Sequence, residues 1–354
     1  MKNNKLHKNI TATAIFFLFP FSFFLSSCEV EFSPNASWKE IPVIYCVLDQ
    51  DDFTAGDTTW VRVERCYLGD EAISSYSSIS DSINYPQGSI DVRLLVYRNG
   101  ACIDSIQCRD TLREREQGDF ASHLQPIYYT TQRLQDDCYY KVEVRRANSR
   151  SLMAYTDSIP LITCSTNVIR KPYNTEIFGF FDRTSGNVPA FLMEWYAMDN
   201  ARRYQPFVRF YYGEDGDTNY VDVLGGSVNS GNGSTILSTS LTRDGFLKNL
   251  ELQLQNDTNP KRYLKLVDVY LTACDENLNN YISTVNSGSS IDQSTHAYTN
   301  VHCCTDGTVV DGVGILAARR THIYKTLEAD ASMVPNVGFY WFLLNKIDAH
   351  FGEE

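Results

Sequence analysis

Long apolar runs are scarce in this 354-residue chain; the one near its start, Ala14–Leu25, holds only 12 residues. A helix needs about 20 to cross a bilayer, so that run is too short for a permanent transmembrane anchor. Catalytic punctuation is missing as well. No G-x-S-x-G elbow presents a serine nucleophile, and no H-E-x-x-H sets two histidines on one helix face for zinc. Beyond residue 27 the histidines stand apart, at His123, His296, His302, His322 and His350. Basic residues are in short supply too, with 31 Lys and Arg against 43 Asp and Glu. A chain this acidic is a poor partner for nucleic acid, whose phosphates need basic patches. Residues 39–163 contain no long stretch with helical periodicity, which argues against a helical bundle.

What stands at the start is a leader. "MKNNKLHKN" carries Lys2, Lys5 and Lys8 and no acid, and the apolar run behind it has the size of a secretory h-region. Leu25-Ser26-Ser27-Cys28 then reads as a lipobox: a branched apolar residue, two small ones and a cysteine. This pattern is similar to the bacterial site where diacylglycerol is attached to the thiol and the chain is cut just before it. The expectation is a signal peptide over 1–27, lipidated Cys28 and a linker over 28–38. The leader takes three lysines with it, so 43 acids face 28 bases, a net of −15. Such a surface is repelled by anionic headgroups, which leaves the acyl chains to hold the protein on the membrane.

The 327 residues that follow the leader read as β-structure. Tyr (22) and Phe (19) are abundant in the chain, and both favour strands. "IPVIYCVLD", "TTWVRVERCYL", "CYYKVEVRRAN" and "LMAYTDSIP" alternate apolar and polar residues between turn signals, and Asn99-Gly100 marks a tight hairpin. Evenly spaced short strands predict an Ig-like β-sandwich over 39–163. A second sandwich is expected over 164–354. Its "FLMEWYAMDNARRYQPFVRFYYGED" resembles the B and C strands of a fibronectin type III domain, with Trp195 filling the core. Pro206 predicts an edge or a bulge in the second of those strands. Leu278, Tyr281, Ile282 and Val285 fall on one helix face, with Asp275 as the cap, so one added helix is expected over about 276–286.

Few candidates for chemistry emerge, and each has a plainer alternative. Gly312, Gly314 and Ala317 outline a dinucleotide loop, but the remaining chain is too short for the βαβ unit that loop requires. A glycine-bearing strand lying against another backbone is the better reading. Asp215, Asp217 and Asn219 alternate in the acidic stretch 213–222, as calcium ligands can. The EF-hand pattern fails there, since the sixth position is Tyr220 and the twelfth Gly226, and an acidic hairpin loop is the alternative. His302-Cys303-Cys304 lacks a second pair at zinc spacing. No cofactor is expected. Nine cysteines remain once Cys28 is set aside, an odd number, in an exported setting that permits disulfides. Cys46–Cys66 and Cys274–Cys303 are the most plausible pairs, and buried free thiols are the alternative.

Taken in order, the lipobox, "PVIYCVLDQDD", "FLMEWYAMDNARRY", "YLTACDENLNNYISTVN" and "YTNVHCCTDGTVVDGVGIL" resemble a family of Bacteroidota lipoproteins of unassigned activity, often encoded beside TonB-dependent receptors. That resemblance implies an Ig-like domain, a fibronectin-like domain with a late strand–helix unit, and a place on the outer membrane. Glu29 and Glu31 partly match the family's signal for surface display, so either the cell surface or the periplasmic face is open. The chain departs from the family in its cysteines and in its tail after Tyr324. The function implied is a non-catalytic accessory or binding protein beside a TonB-dependent receptor. The alternative is a surface glycan-binding lipoprotein, whose exposed aromatic rings would stack on sugars, although Trp38, Trp60, Trp195 and Trp341 do not cluster in sequence.

Overall fold

Period-two alternation becomes sheet through most of the chain. The computed structural model describes residues 39–51, 58–66, 79–115, 124–164, 169–170, 177–182, 186–187, 190–230, 236–254, 261–287, 298–305, 307–329, 331–333, 335 and 338–352. Strands β1 (Pro42–Asp51) and β2 (Thr59–Arg65) pair antiparallel, with Pro42 facing Arg65 and Cys46 facing Val61. A one-turn helix, α1 (Ser80–Ile83), precedes β3 (Ile90–Arg98). Asn99 and Gly100, at φ 52° and 79°, turn the chain into β4 (Ala101–Gln107). Positive φ at both positions is the type I′ requirement that Asn-Gly meets at least cost. There follow β5 (Arg109–Glu114), β6 (Leu124–Thr130), β7 (Tyr139–Arg146), β8 (Leu152–Thr156) and β9 (Ile159–Pro160).

The second half opens with four two-residue strands, β10 (Ile169–Arg170), β11 (Ile177–Phe178), β12 (Phe181–Asp182) and β13 (Gly186–Asn187). β14 (Ala190–Tyr196) then buries Phe191, Met193 and Trp195 while Leu192 and Glu194 stay half-exposed. Trp195 is 1% exposed, its ring 5.7 Å from that of Tyr204, which lies in β15 (Arg203–Glu214). β16 (Asp217–Leu224), β17 (Val228–Asn229) and β18 (Ile236–Thr242) lead into helix α2 (Arg243–Leu254). That helix was not expected, yet its signals are present. The Thr242 hydroxyl accepts the Gly245 N–H, and Phe246, Leu247, Leu250 and Leu254 form its buried face.

β19 (Arg262–Cys274) ends at the helix that the periodicity predicts, α3 (Glu276–Ser287). Its cap is Asp275, whose Oδ1 accepts the Leu278 N–H at 2.9 Å. β20 (Val301–Thr305), β21 (Thr308–Asp311), β22 (Val313–Ala329) and helix α4 (Phe339–Asn345) complete the described elements. Among the described residues no helix is long and apolar enough to cross a membrane.

The molecule is mainly β, and its largest sheet has ten strands in the order β16-β15-β19-β22-β1-β2-β6-β5, with β17 beside β15 and β11 beside β22. A second sheet, β21-β20-β8-β7-β3-β4 with β9 beside β7, shares a buried cluster with it, as in a sandwich. A third, β10-β14-β18, carries Trp195 in that same cluster. The expected boundary between 163 and 164 does not divide these sheets. β1 lies between β2 and β22, pairing parallel with the latter from Val43↔Val313 to Asp51↔Thr321. β20 and β21 in turn extend the sheet of the first half through β8. The described residues therefore belong to one compact unit rather than two tandem sandwiches. Gly314 makes the joint possible. Its φ is 108°, and a Cβ there would sit 1.9 Å from the Ile44 carbonyl oxygen. The G-x-G of this segment is thus a strand in close approach to another backbone.

Pro206 sits in a central strand, where the missing N–H is tolerated for a local reason. β16 pairs with Phe207 to Glu214, and β17 with Arg203 and Tyr204, so Pro206 falls in the gap between them. Its carbonyl accepts the Gly225 N–H. The irregularity in β15 lies further on, between Phe210 and Tyr212.

Candidate functional site

Cys28 lies outside the described residues. The stretch 213–222 is the acidic hairpin expected as the alternative to a calcium site, most of it strand. Asp215 and Gly216, at φ 52° and 97°, form its two-residue turn, and Glu214 faces Asp217 at the end of the ladder. Asp217 and Asn219 belong to β16, so the three alternating residues share no loop. Among the described residues no three His, Cys, Asp or Glu side chains gather to hold a metal.

The two expected disulfides fail on register, and the nine cysteines of the described residues are free thiols. Cys46 faces Val61, whereas the Cys66 N–H bonds the Ile41 carbonyl. Five residues along a strand is about 16 Å, well past the reach of a bridge. Cys274 faces Arg319, while the Cys303 thiol donates to the Pro42 carbonyl at 3.6 Å. Pro42 lies at the opposite end of the β1–β22 ladder from Arg319, seven residues along β22, or about 23 Å. Burial pushes the Cys303 thiol up to about 12, with Cys66 and Cys304 nearby adding to the shift, so it stays protonated and unreactive.

What the structure does bring together is a face. In β15 the even positions Tyr204, Val208, Phe210 and Tyr212 are buried, and the odd positions Phe207, Arg209 and Tyr211 are half-exposed. The register then builds rows across the sheet. Phe207 stands between Leu224 and Tyr270, Arg209 between Asp222 and Asp268, and Tyr211 beside Tyr220. Phe207 and Tyr270 stack with centroids 4.7 Å apart and planes 4° from parallel. Arg209 grips Asp222 through two hydrogen bonds of 2.8 Å, and its guanidinium lies 4.1 Å from the Tyr220 ring and 5.3 Å from the Tyr270 ring. The bond to Asp222 raises the Arg209 pKa further above its ordinary value.

Asp268 holds this face in place. It is 7% exposed and accepts from Tyr211 at 3.1 Å, Tyr270 at 3.3 Å and Thr326 at 2.7 Å. Burial first, and then the Asp268 charge, raises the Tyr270 pKa, so the hydroxyl stays protonated and keeps donating. At the end of the row Tyr263 lies flat over Gly213, where an added Cβ would fall 1.9 Å from its Cζ. Gly213 is the residue that lets this ring rest on the backbone. Tyr220 is 54% exposed and Leu224 62% exposed, so the strip is open to solvent. From Phe207 to Gly213 it runs six residues, about 20 Å.

Helix α3 packs on β22, the neighbour of β19, with Tyr281 edge-on to Tyr45 at 6.3 Å. Further across the same sheet Trp60 lies 5.2 Å from Tyr129, under the Arg113 guanidinium at 4.7 Å. Trp38 lies outside the described residues; Trp195 is core, and Trp60 and Trp341 lie on separate elements, so the described tryptophans form no platform. Tyrosine supplies the exposed aromatic surface instead. Its signal in the sequence was "FVRFYYG", which puts aromatics on both faces of one strand.

No family model matches this chain, and neither does any curated protein.

Proposed function

We propose that this protein is a lipid-anchored binding protein of the outer membrane, held by Cys28, that works beside a TonB-dependent transporter and performs no chemistry of its own. The observation that carries the binding reading is the strip of half-exposed rings around Arg209 and Asp222, fixed from beneath by a buried carboxylate. Rings held by a satisfied buried network lose little freedom when a partner arrives, which is the usual condition for a good contact surface. The leader and lipobox support the anchor, and the net charge of −15 after the leader argues against nucleic acid.

The test is to purify the intact lipoprotein from outer membranes with whatever it holds, as wild type and as Tyr220→Ala. The reading expects a transporter in the wild-type eluate and a ligand or partner whose recovery falls in the variant. Identical eluates would remove the strip from the function, and the absence of any transporter would remove the accessory role.

A further inference from the structure

We infer that the ligand of the strip is a carbohydrate chain. This rests on the reading of the strip as the binding surface and adds the ligand's chemistry. The exposed groups have the two properties a sugar requires. Sugar rings present flat C–H faces, which pack on aromatic faces, and edges crowded with hydroxyls, which need paired donors and acceptors. The strip supplies flat rings at intervals. Tyr263 is laid against the backbone over Gly213, half-exposed Phe207 is held flat by stacking on the buried Tyr270 ring, and Tyr220 is 54% exposed with Arg209 behind it.

Between the rings stands the Arg209–Asp222 pair, whose side chains are 25% and 35% exposed. The pair uses Nε and one Nη2 hydrogen of the arginine, and Tyr211 hydrogen-bonds the guanidinium as well, which leaves spare N–H groups among the five to donate. Each carboxylate oxygen keeps a lone pair for a hydroxyl. A guanidinium–carboxylate pair offers both roles at one point, as a vicinal diol asks. The tyrosine hydroxyls nearest the network are already spent, since Tyr211 and Tyr270 both donate to Asp268. Half-exposed Tyr211 therefore contributes surface, buried Tyr270 supports Phe207 from beneath, and the charged pair contributes the polar contacts.

Two other ligands that stack on aromatics fit less well. Nucleobases arrive with phosphates, which this acidic chain repels. A protein hot spot also favours Tyr and Arg, but it sits at the centre of a broad patch of about 800 Å² per partner, whereas the strip, about 20 Å along β15 and three strands or about 10 Å across, is several times smaller.

The experiment uses the full-length lipoprotein in a detergent without a sugar headgroup. Its retention is measured in gels containing arabinoxylan, mixed-linkage β-glucan, levan or mucin glycans. Wild type is expected to be retarded by at least one of these. Tyr220→Ala and Tyr263→Ala should each weaken binding about tenfold at an unchanged thermal midpoint, Asp222→Asn should weaken it too, and Trp60→Ala should not. Wild type migrating alike in every gel, or Tyr220→Ala retained as strongly as wild type, overturns the inference. If no glycan binds but a protein partner still depends on Tyr220, the strip stands as the contact surface and the carbohydrate class falls. If neither depends on Tyr220, both readings fall.

Discussion

Replacing Gly314 with alanine should cost the folded protein about 4 kcal/mol. Two effects combine. A φ of 108° is open to glycine and strained for alanine, worth on the order of 2 kcal/mol. The new Cβ would also sit 1.9 Å from the Ile44 oxygen and 2.7 Å from its carbonyl carbon. Both are backbone atoms in the middle of a ladder, so no side chain can turn aside. β1 and β22 must part there, weakening the neighbouring parallel hydrogen bonds at about 1 kcal/mol each. The thermal midpoint should fall on the order of 10 °C. Gly312 is the control. Its added Cβ would meet the Cys303 thiol and the Val301 Cγ1 at 2.8 Å and backbone only at 3.1 Å, the Val301 oxygen, with no positive-φ strain, so the loss should be about half as large. Denaturant unfolding of the two variants decides the matter. A midpoint unchanged in Gly314→Ala, or an equal loss in both, would refute the account of the β1–β22 joint.

Trp195→Ala should cost about 3–5 kcal/mol, the range for a large buried aromatic, and an unchanged melting curve would put that ring at the surface. Asp275 caps α3 from a buried position, and burial raises its pKa despite the Leu278 and Asn277 hydrogen bonds. A raised folded-state pKa gives stability that is present below the ordinary carboxylate range and lost as pH rises through the Asp275 value. Asp275→Asn, which keeps a cap oxygen without the charge, should therefore gain on wild type at pH 7 and lose that advantage in acid, while Asp275→Ala loses about 1 kcal/mol of cap. Melting at both pH values checks this, and an Asn variant less stable at pH 7 contradicts it. Cys28→Ala should abolish labelling by an alkyne fatty acid in growing cells; equal labelling of wild type and variant rules out the lipobox.

The legible parts of this fold were those written locally. The Asn99-Gly100 turn, the alternation that buries Trp195, and the cap and face of α3 all depend on residues within a few positions of one another. The joint between the halves was not legible, because β1 and β22 lie some 270 positions apart and parallel pairing leaves no turn between them to read. The cysteine pairs are close in sequence and failed for another reason, since register decides them and register is set by the sheet. Helix α2 was legible in principle from Thr242 and its apolar spacing. The aromatic strip was half legible. Phe207 and Tyr211 on the polar side of β15 stand out, but Tyr263, Tyr270 and Asp268 reach them only through β19.

The most direct test of the account is photo-crosslinking in living cells. The full-length protein carries p-benzoylphenylalanine in place of Tyr220 on the strip or, separately, in place of Ile103, which is 48% exposed on an edge strand of the other sheet. The account predicts an ultraviolet-dependent adduct from position 220 and none from 103. Adducts from 103 with position 220 silent would contradict it.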